Sequence, residues 1–515
     1  MSPSFARNTI LGFASGAAVA LAGFVGNAII ARILGPDKLG IFAYVVWCVT
    51  VASVVAALGI DVVQQRFIPN LRAEGKNDEA NGLIGATTRT SMLAIVVGGV
   101  ALFGYLYWPG KGVTQGLSET TRISVVAVAL VWFVCWRLGD LYLFNLRGEQ
   151  QFGQLARLSA QSALIKVATM GIGAWLFGIP GALAGYIAGS ILPASRVFKL
   201  LRNKASVNPE LKSEVIKFAL GSWGVGVIGS LVFGRTQVIF LEHYTGLGAV
   251  GLFAAAVTIA EMAVQLPPLL LSALLPRFSE QHGLGAQDHM RHLYRTMTSL
   301  MALVIVPLCL GLAAIAPVLI PLIFGTDFAD AVPASSVLLV AAAISSLGVT
   351  TLYFLQSVGK TTLLLITNGI GLIGTIVLGF LLIPSEGLMG AAWSRGVVQV
   401  AVVLIETWYV TRRLSVSPPY RALGAITMAA LAQAAVAFVI SVELGGMISL
   451  IVAVPAAVVI YLVGLRVFGV VRLIDPDIAN RLSTQAPERI RPLVARVMKL
   501  LAPPAKGHAD SPPPL

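Results

Sequence analysis

Seven stretches of the sequence run for 20 residues or more without one charged side chain: Asn8–Ala31, Leu39–Ile60, Thr296–Thr326, Ala331–Gly359, Thr361–Ser385, Ala422–Ser441 and Leu444–Leu465. A helix of about 20 residues crosses the ~30 Å hydrocarbon core of a bilayer. In lipid the backbone finds no water, so each crossing must satisfy its own N–H and C=O groups, and a helix does so within one segment. Seven further runs carry one or two charges: Asn81–Trp108, Ile123–Leu146, Leu155–Phe177, Gly181–Leu201, Val215–Leu241, Gly246–Pro276 and Gly387–Val410. The chain is therefore expected to be an all-α polytopic membrane protein with about 14 transmembrane helices. Only 11% of its residues are charged and 57% are hydrophobic, whereas soluble domains carry about 25% charged residues. The first run is too long for the apolar core of a signal peptide and reads as a span.

Between the first two runs lies Arg32-Ile33-Leu34-Gly35-Pro36-Asp37-Lys38-Leu39-Gly40-Ile41-Phe42-Ala43. A weaker copy, His243-Tyr244-Thr245-Gly246-Leu247-Gly248-Ala249-Val250-Gly251-Leu252-Phe253-Ala254, follows 211 positions later. Gly35 aligns with Gly246, Gly40 with Gly251, Phe42 with Phe253 and Ala43 with Ala254. Long apolar runs flank both copies, which points to an internal duplication. Glycine can close a helix with positive φ, and Pro36 can follow because it need not continue that helix. Asp37 is placed to cap the next helix. Gly40 and Gly251 let two helices approach closely. Gly35, Pro36, Gly40, Gly246 and Gly251 are thus read as turn and hinge positions.

The copies join spans one and two and spans seven and eight, so the offset is six spans and the repeats run parallel. A fainter echo opens spans six and twelve: Gly181-Ala182-Leu183-Ala184-Gly185 and Gly387-Leu388-Met389-Gly390. The expected organisation is two pseudo-symmetric six-helix lobes, residues 1–205 and 206–415, then a helix pair at 416–470 and a basic, Pro-rich cytoplasmic tail at 471–515.

The net charge of +13 is first a topology signal. Lys and Arg gather in one set of loops, including Arg66, Arg72, Lys76, Arg147, Arg196, Lys199, Arg291, Arg295, Arg412 and Arg413, while the opposite set holds Lys38, Lys111 and Arg122. Positive loops stay cytoplasmic, which puts both termini inside.

Charges within spans are costly, so each is a candidate functional group. Lys166 lies mid-span five, Arg235 in span seven and Arg395 in span twelve. These cations come from both halves and would suit a cavity for a phosphate-bearing head group, since guanidinium binds phosphate bidentately. Internal pairs are the other reading: Arg235 or Arg395 with Glu261, and Lys166 with Asp61 or Asp140. Arg137 and Asp140 are three apart and share a helix face. Glu261 lies deep in span eight, before Gln265 and a Pro267-Pro268 break. Glu261, Asp61, Arg137 and Asp140 form the candidate set for ion coupling or pairing. Arg32, at a helix end, is read as interfacial.

No phosphate-binding Gly-x4-Gly-Lys-Ser/Thr loop occurs, so ATP hydrolysis by the chain itself is not expected. His282, His289 and His292 lack the partners of a metal site, and Cys48, Cys135 and Cys309 sit in apolar runs without disulfide or metal spacing. No nucleophile occupies a recognisable elbow. The expectation is no enzyme, no cofactor, no metal and no nucleic-acid partner.

The span count, the Leu-Gly-Pro-x-x-Leu-Gly-x-Phe turn of Leu34–Phe42 and its echo resemble the polysaccharide-transporter branch of the multidrug/oligosaccharidyl-lipid/polysaccharide exporter superfamily, in particular its Wzx-type O-antigen and exopolysaccharide flippases. The resemblance implies two MATE-like lobes around a central cavity, alternating access, and transfer of a polyprenyl-diphosphate-linked glycan to the outer leaflet of the cell inner membrane. It also implies membrane lipids, a polysaccharide polymerase and assembly proteins as partners. Multidrug exporters of this superfamily often carry a carboxylate in the first helix; Asn8–Ala31 has none. Lipid II flippases are the nearer rival, ahead of ion-coupled drug export and of a membrane enzyme acting on lipid-linked sugars.

Overall fold

The computed structural model describes residues 3–107, 117–202, 208–233, 236–270 and 286–470, with three isolated positions between 270 and 286. Among them the regular structure is helical throughout. In chain order the helices are α1 (Pro3–Ala56), α2 (Ile60–Ala73), α3 (Asn77–Tyr107), α4 (Glu119–Gly148), α5 (Phe152–Ala194), α6 (Pro209–Phe233) and α7 (Gln237–Tyr244). Then follow α8 (Leu247–Leu270), α9 (Gln287–Phe324), α10 (Val332–Ser345), α11 (Gly348–Ser357), α12 (Thr361–Arg413), α13 (Tyr420–Leu444) and α14 (Gly446–Val467). Eleven helical stretches among the described residues are long and apolar enough to cross a membrane. Their length and number leave no doubt of a multi-pass membrane protein. Three of them, in α1, α5 and α12, are interrupted by a glycine with positive φ: Gly35, Gly178 and Gly387. Each interruption falls where the sequence places a turn between two spans.

The chain packs as two compact units. The first comprises Met1–Gln265, Ile323–Leu338 and Leu365–Val402; the second comprises Leu266–Leu322, Leu339–Leu364 and Val403–Leu515.

In the first unit the duplicated turns lie against each other. Gly35 adopts φ 71° and ψ 174°, a combination essentially confined to glycine. Gly246 has φ 93° and its amide donates to the Leu241 carbonyl at 2.9 Å, closing α7. A Cβ at Gly40 would collide with the Leu247 carbonyl oxygen, and a Cβ at Gly251 with that of Pro36. Shifting each partner by 211 positions turns one contact into the other. Asp37 Oδ1 sits against Gly248, its own counterpart in the second copy. The three contacts obey a local twofold, as in a self-complementary interface.

The structure corrects several expectations. Asp37 makes no capping hydrogen bond among the described residues; its carboxylate points across the turn contact instead. The fainter echo shifts register. Gly178 (φ 62°, ψ −133°) matches Gly387 (φ 54°, ψ −121°), which aligns Gly181 with Gly390. Consistently, a Cβ at Gly181 would strike the Gly173 carbonyl and one at Gly390 the Leu382 carbonyl, again at an offset of 209. Span seven is not one continuous helix, because Thr236 is a turn residue that precedes the start of α7 at Gln237. Conversely, α8 carries through Pro267 and Pro268 to Leu270.

In the second unit α9 contains Pro307. Proline has no N–H, so the Leu303 carbonyl one turn earlier loses its helical donor. The Tyr461 hydroxyl of α14 donates to that oxygen at 2.7 Å, and Gln433 of α13 donates to the Pro307 carbonyl at 2.9 Å. The tyrosine thus restores what proline removes, as lipid-embedded backbone requires, and the glutamine ties α13 to α9 beside it.

Candidate functional site

The site lies in the first unit. A cavity of about 470 Å³ is lined by Trp132, Trp136, Asp140, Arg147, Lys166 and Tyr186, among others. A second, of about 280 Å³, presents Asn27, Trp47, Ser230, Thr258 and Glu261. Val46, Thr50 and Tyr186 line both.

Lys166 is positioned by glycine. Beyond the Gly178 break, α5 returns with Gly181, Gly185 and Gly189 at every fourth residue, a small-residue ridge on which another helix can pack closely. Cβ atoms there would run into Gly173, Met170 and Lys166 of the outgoing arm; at Gly189 the nearest atom would be Lys166 Cβ at 2.8 Å. The lysine stem therefore lies on Gly189, and its ammonium sits 5.0 Å from the Tyr186 ring centroid. That is cation–π geometry, worth roughly 0.5–2 kcal/mol. Lys166 makes no salt bridge among the described residues.

The aromatic wall is continuous. Trp132 and Trp136, one turn apart on α4, stack at 5.5 Å and 8°, and Trp132 meets Tyr186 at 4.4 Å. Beside a cation and the Asp140 carboxylate, such a wall offers ring faces to C–H-rich sugar surfaces and charge to a phosphate.

Asp61 and Asp140 find their partner in Arg137. Its Nη1 and Nη2 donate to Asp61 Oδ2 and Oδ1, both at 3.3 Å, and Nη1 lies 3.8 Å from Asp140 Oδ2. Arg137 is 3% exposed, so this pair ties the start of α2 to α4. Of the alternative pairings read from sequence, the one of Lys166 with these carboxylates does not form. We expect Asp61→Ala to leave the buried guanidinium with only its longer contact to Asp140. Stranding a buried charge outright costs about 3–5 kcal/mol; with Asp140 kept as a partner the loss is part of that, so the membrane level should drop and the thermal midpoint in detergent should fall by a few degrees. Asp61→Asn should be milder. An unchanged midpoint in Asp61→Ala would rule out the clamp.

Arg395 donates from Nη2 to Glu261 Oε1 at 3.4 Å. The arginine side chain is 7% exposed and the glutamate 33%. Glu261 faces the smaller cavity and Arg395 stands behind it. By the repeat, Thr50 occupies the place of Glu261 and Tyr186 that of Arg395. The wall shared by the cavities and the Arg395–Glu261 pair are therefore equivalent places in the two halves, furnished differently. Arg32 donates from Nε to the Ile323 carbonyl at 2.8 Å. Arg235, His282 and the tail 471–515 lie outside the described residues.

Sequence reading missed Trp132, Trp136, Tyr186 and Arg147 as lining residues. Arg147 was assigned to a loop, yet α4 extends to Gly148 and carries it to the cavity. For Arg147 the available signal was its spacing from Asp140, two helical turns on along the same face of α4; the three aromatic residues carried none.

Known proteins resemble the chain at low identity. It is 22% identical to the teichuronic acid biosynthesis protein TuaB of Bacillus subtilis, over 61% of this chain and 65% of TuaB, just under two thirds of that protein. It is 21% identical to the probable low-salt glycan biosynthesis flippase Agl15 of Haloferax volcanii, over 81% of this chain and 85% of Agl15. Among solved structures, the lipid II flippase MurJ in an inward closed conformation superposes with a TM-score of 0.72 at 14% identity, covering 90% of this chain and 98% of MurJ. An inward-facing multidrug resistance MATE transporter of the MOP superfamily gives 0.66 at 14% identity, covering 77% and 94%. At these identities the superpositions establish the fold, which is that of the MATE and MurJ transporters. The polysaccharide biosynthesis protein family is matched over residues 5–282, more than half of the 515, and the chain belongs to that family.

Proposed function

We propose that the protein is a flippase that moves a polyprenyl-diphosphate-linked oligosaccharide across the cytoplasmic membrane for polysaccharide synthesis. The observation that carries the reading is the Lys166 cavity. Its ammonium and Arg147 supply positive charge for a diphosphate, and Trp136 and Tyr186, backed by the buried Trp132, supply faces for sugar rings. Neutralising the head group lowers the cost of taking it through a low-dielectric region, which for an unpaired charge is several kcal/mol or more. The prenyl tail stays in lipid. Arg395, behind Glu261, and Arg235 are further cations for the same head group. Glu261 is the candidate for proton or cation coupling, because it is the carboxylate facing the smaller cavity.

In this reading each glycine break in α1, α5 and α12 separates two crossings, which brings the eleven apolar stretches to the fourteen spans expected. The lobes 1–205 and 206–415 alternate between inward and outward access, with both termini in the cytoplasm of the producing cell. A polymerase and assembly proteins would take the product on the far side. The chain performs no bond chemistry in this scheme.

The test is a deletion strain analysed for lipid-linked intermediates and surface glycan. Loss of surface glycan with sugar-loaded polyprenyl diphosphate held on the cytoplasmic side is the expected result. Normal glycan would overturn the reading. Normal glycan with new sensitivity to cationic compounds would favour ion-coupled drug export, for which Glu261 would supply the carboxylate absent from the first helix.

A further inference from the structure

We propose that the second unit holds a separate binding site for an anionic phospholipid headgroup, built on the first three turns of α9. Arg291, His292, Arg295, Thr296 and Ser299 follow one another along one helical stripe, and with Pro419 at the start of α13 they line a pocket of about 370 Å³. It shares no residue with the cavities of the first unit.

The pocket is held in place from both sides. Asp288 Oδ1 accepts from Arg291 Nη1 at 3.0 Å, which steers that guanidinium along the helix. Arg295 makes no salt bridge among the described residues. The Ser299 hydroxyl donates to the Arg295 carbonyl at 2.9 Å. On the opposite face of α9, Met290, Tyr294 and Met301 are buried with Phe278, Phe354 and Val410, and the Tyr294 and Thr351 hydroxyls lie 3.0 Å apart. The basic stripe is thus presented by a packed helix rather than by a loose loop.

Charge and depth identify the ligand. Two guanidinium groups against one carboxylate leave the pocket cationic, and the planar fork of arginine matches a phosphate. Arg295 is the last charged residue before an uncharged run that reaches Thr326. The pocket therefore sits where polar helix gives way to lipid-embedded helix, at the level of headgroup phosphates. Positive loops face the cytoplasmic leaflet, whose anionic lipids attract such residues. A phosphodiester with acyl chains alongside the apolar part of α9 fits both ends of this surface.

The full-length protein in detergent is titrated with phosphatidylglycerol, with phosphatidylcholine and with inorganic phosphate, and the thermal midpoint is followed. Phosphatidylglycerol should raise the midpoint at concentrations where the other two do not. Arg291→Ala/Arg295→Ala should raise the concentration needed about tenfold, while Arg412→Ala/Arg413→Ala leaves it unchanged. If the double variant folds poorly without lipid, Arg295→Gln alone should show the same direction of shift, and Arg295→Lys should retain most of the effect. Equal stabilisation by phosphatidylcholine, or an unaltered response in the Arg291 and Arg295 variants, overturns the proposal. Equal stabilisation by inorganic phosphate overturns the lipid assignment and makes the pocket a free-phosphate site.

Discussion

Lys166→Ala should abolish most glycan export while leaving the protein at its normal level in the membrane. Export and folding depend on Lys166 for different physical reasons. Lys166 faces a cavity and is held by a glycine under its stem and a ring beside its ammonium. Removing it leaves no stranded counter-ion, because Asp61 and Asp140 are already held by Arg137. Folding should therefore lose only the cation–π contact, about 1 kcal/mol. Substrate would lose a charge-assisted bond to its diphosphate. Such bonds are worth about 1.5–3 kcal/mol, which corresponds to roughly 10- to 150-fold in affinity. Lys166→Arg should recover part of the export and Lys166→Met none. The measurement is surface glycan and accumulated lipid-linked intermediate at matched membrane levels. Wild-type export by Lys166→Ala would remove the lysine from the substrate path.

How much of this was legible beforehand differs from residue to residue. The turn copies could be read because glycine at a break or a close contact has no substitute of equal shape, so Gly35, Gly40, Gly246 and Gly251 leave a trace in sequence. Lys166 could be read because a lysine in the middle of an apolar run stands out against the cost of burying it. Trp132, Trp136 and Tyr186 could not. An aromatic residue in an apolar run looks the same whether it faces lipid, core or cavity, and only the packing of α4 on α5 decides. Trp175, with its ring largely exposed on α5, is such a residue with the opposite outcome.

Arg395 illustrates the remaining gap. Its depth in the span was evident, but whether it or Glu261 would face the cavity depends on helix rotation, which hydropathy does not encode. The register of the fainter echo failed for a related reason. Gly181 and Gly185 belong to a packing ridge, whereas Gly178 makes the break, and sequence alone weighs both kinds of glycine alike.

The second large effect concerns the reciprocal turn contact. Gly40→Leu and Gly251→Leu should each block export without lowering membrane levels much. At both positions the α-carbon faces a carbonyl oxygen of the other copy, and even a Cβ would overlap it. Neither oxygen belongs to a flexible side chain, so the turns must part for a larger residue to fit. In the topology proposed from the distribution of positive charge, the turns are on the outer side of the membrane. In an alternating-access cycle that side must close and reopen, and a contact between bare backbones can do so without unpicking side-chain ion pairs. Leucine should therefore hold the outer side apart. In a background without Cys48, Cys135 and Cys309, a cysteine at Ala43 should react with a membrane-impermeant maleimide several-fold faster in Gly40→Leu than in its parent. Because the contact is twofold, Gly251→Leu should reproduce the change at the same reporter. Unchanged reactivity together with normal export would show that the contact is mere packing. Lost export with unchanged reactivity would mean that the turns matter in a step other than opening.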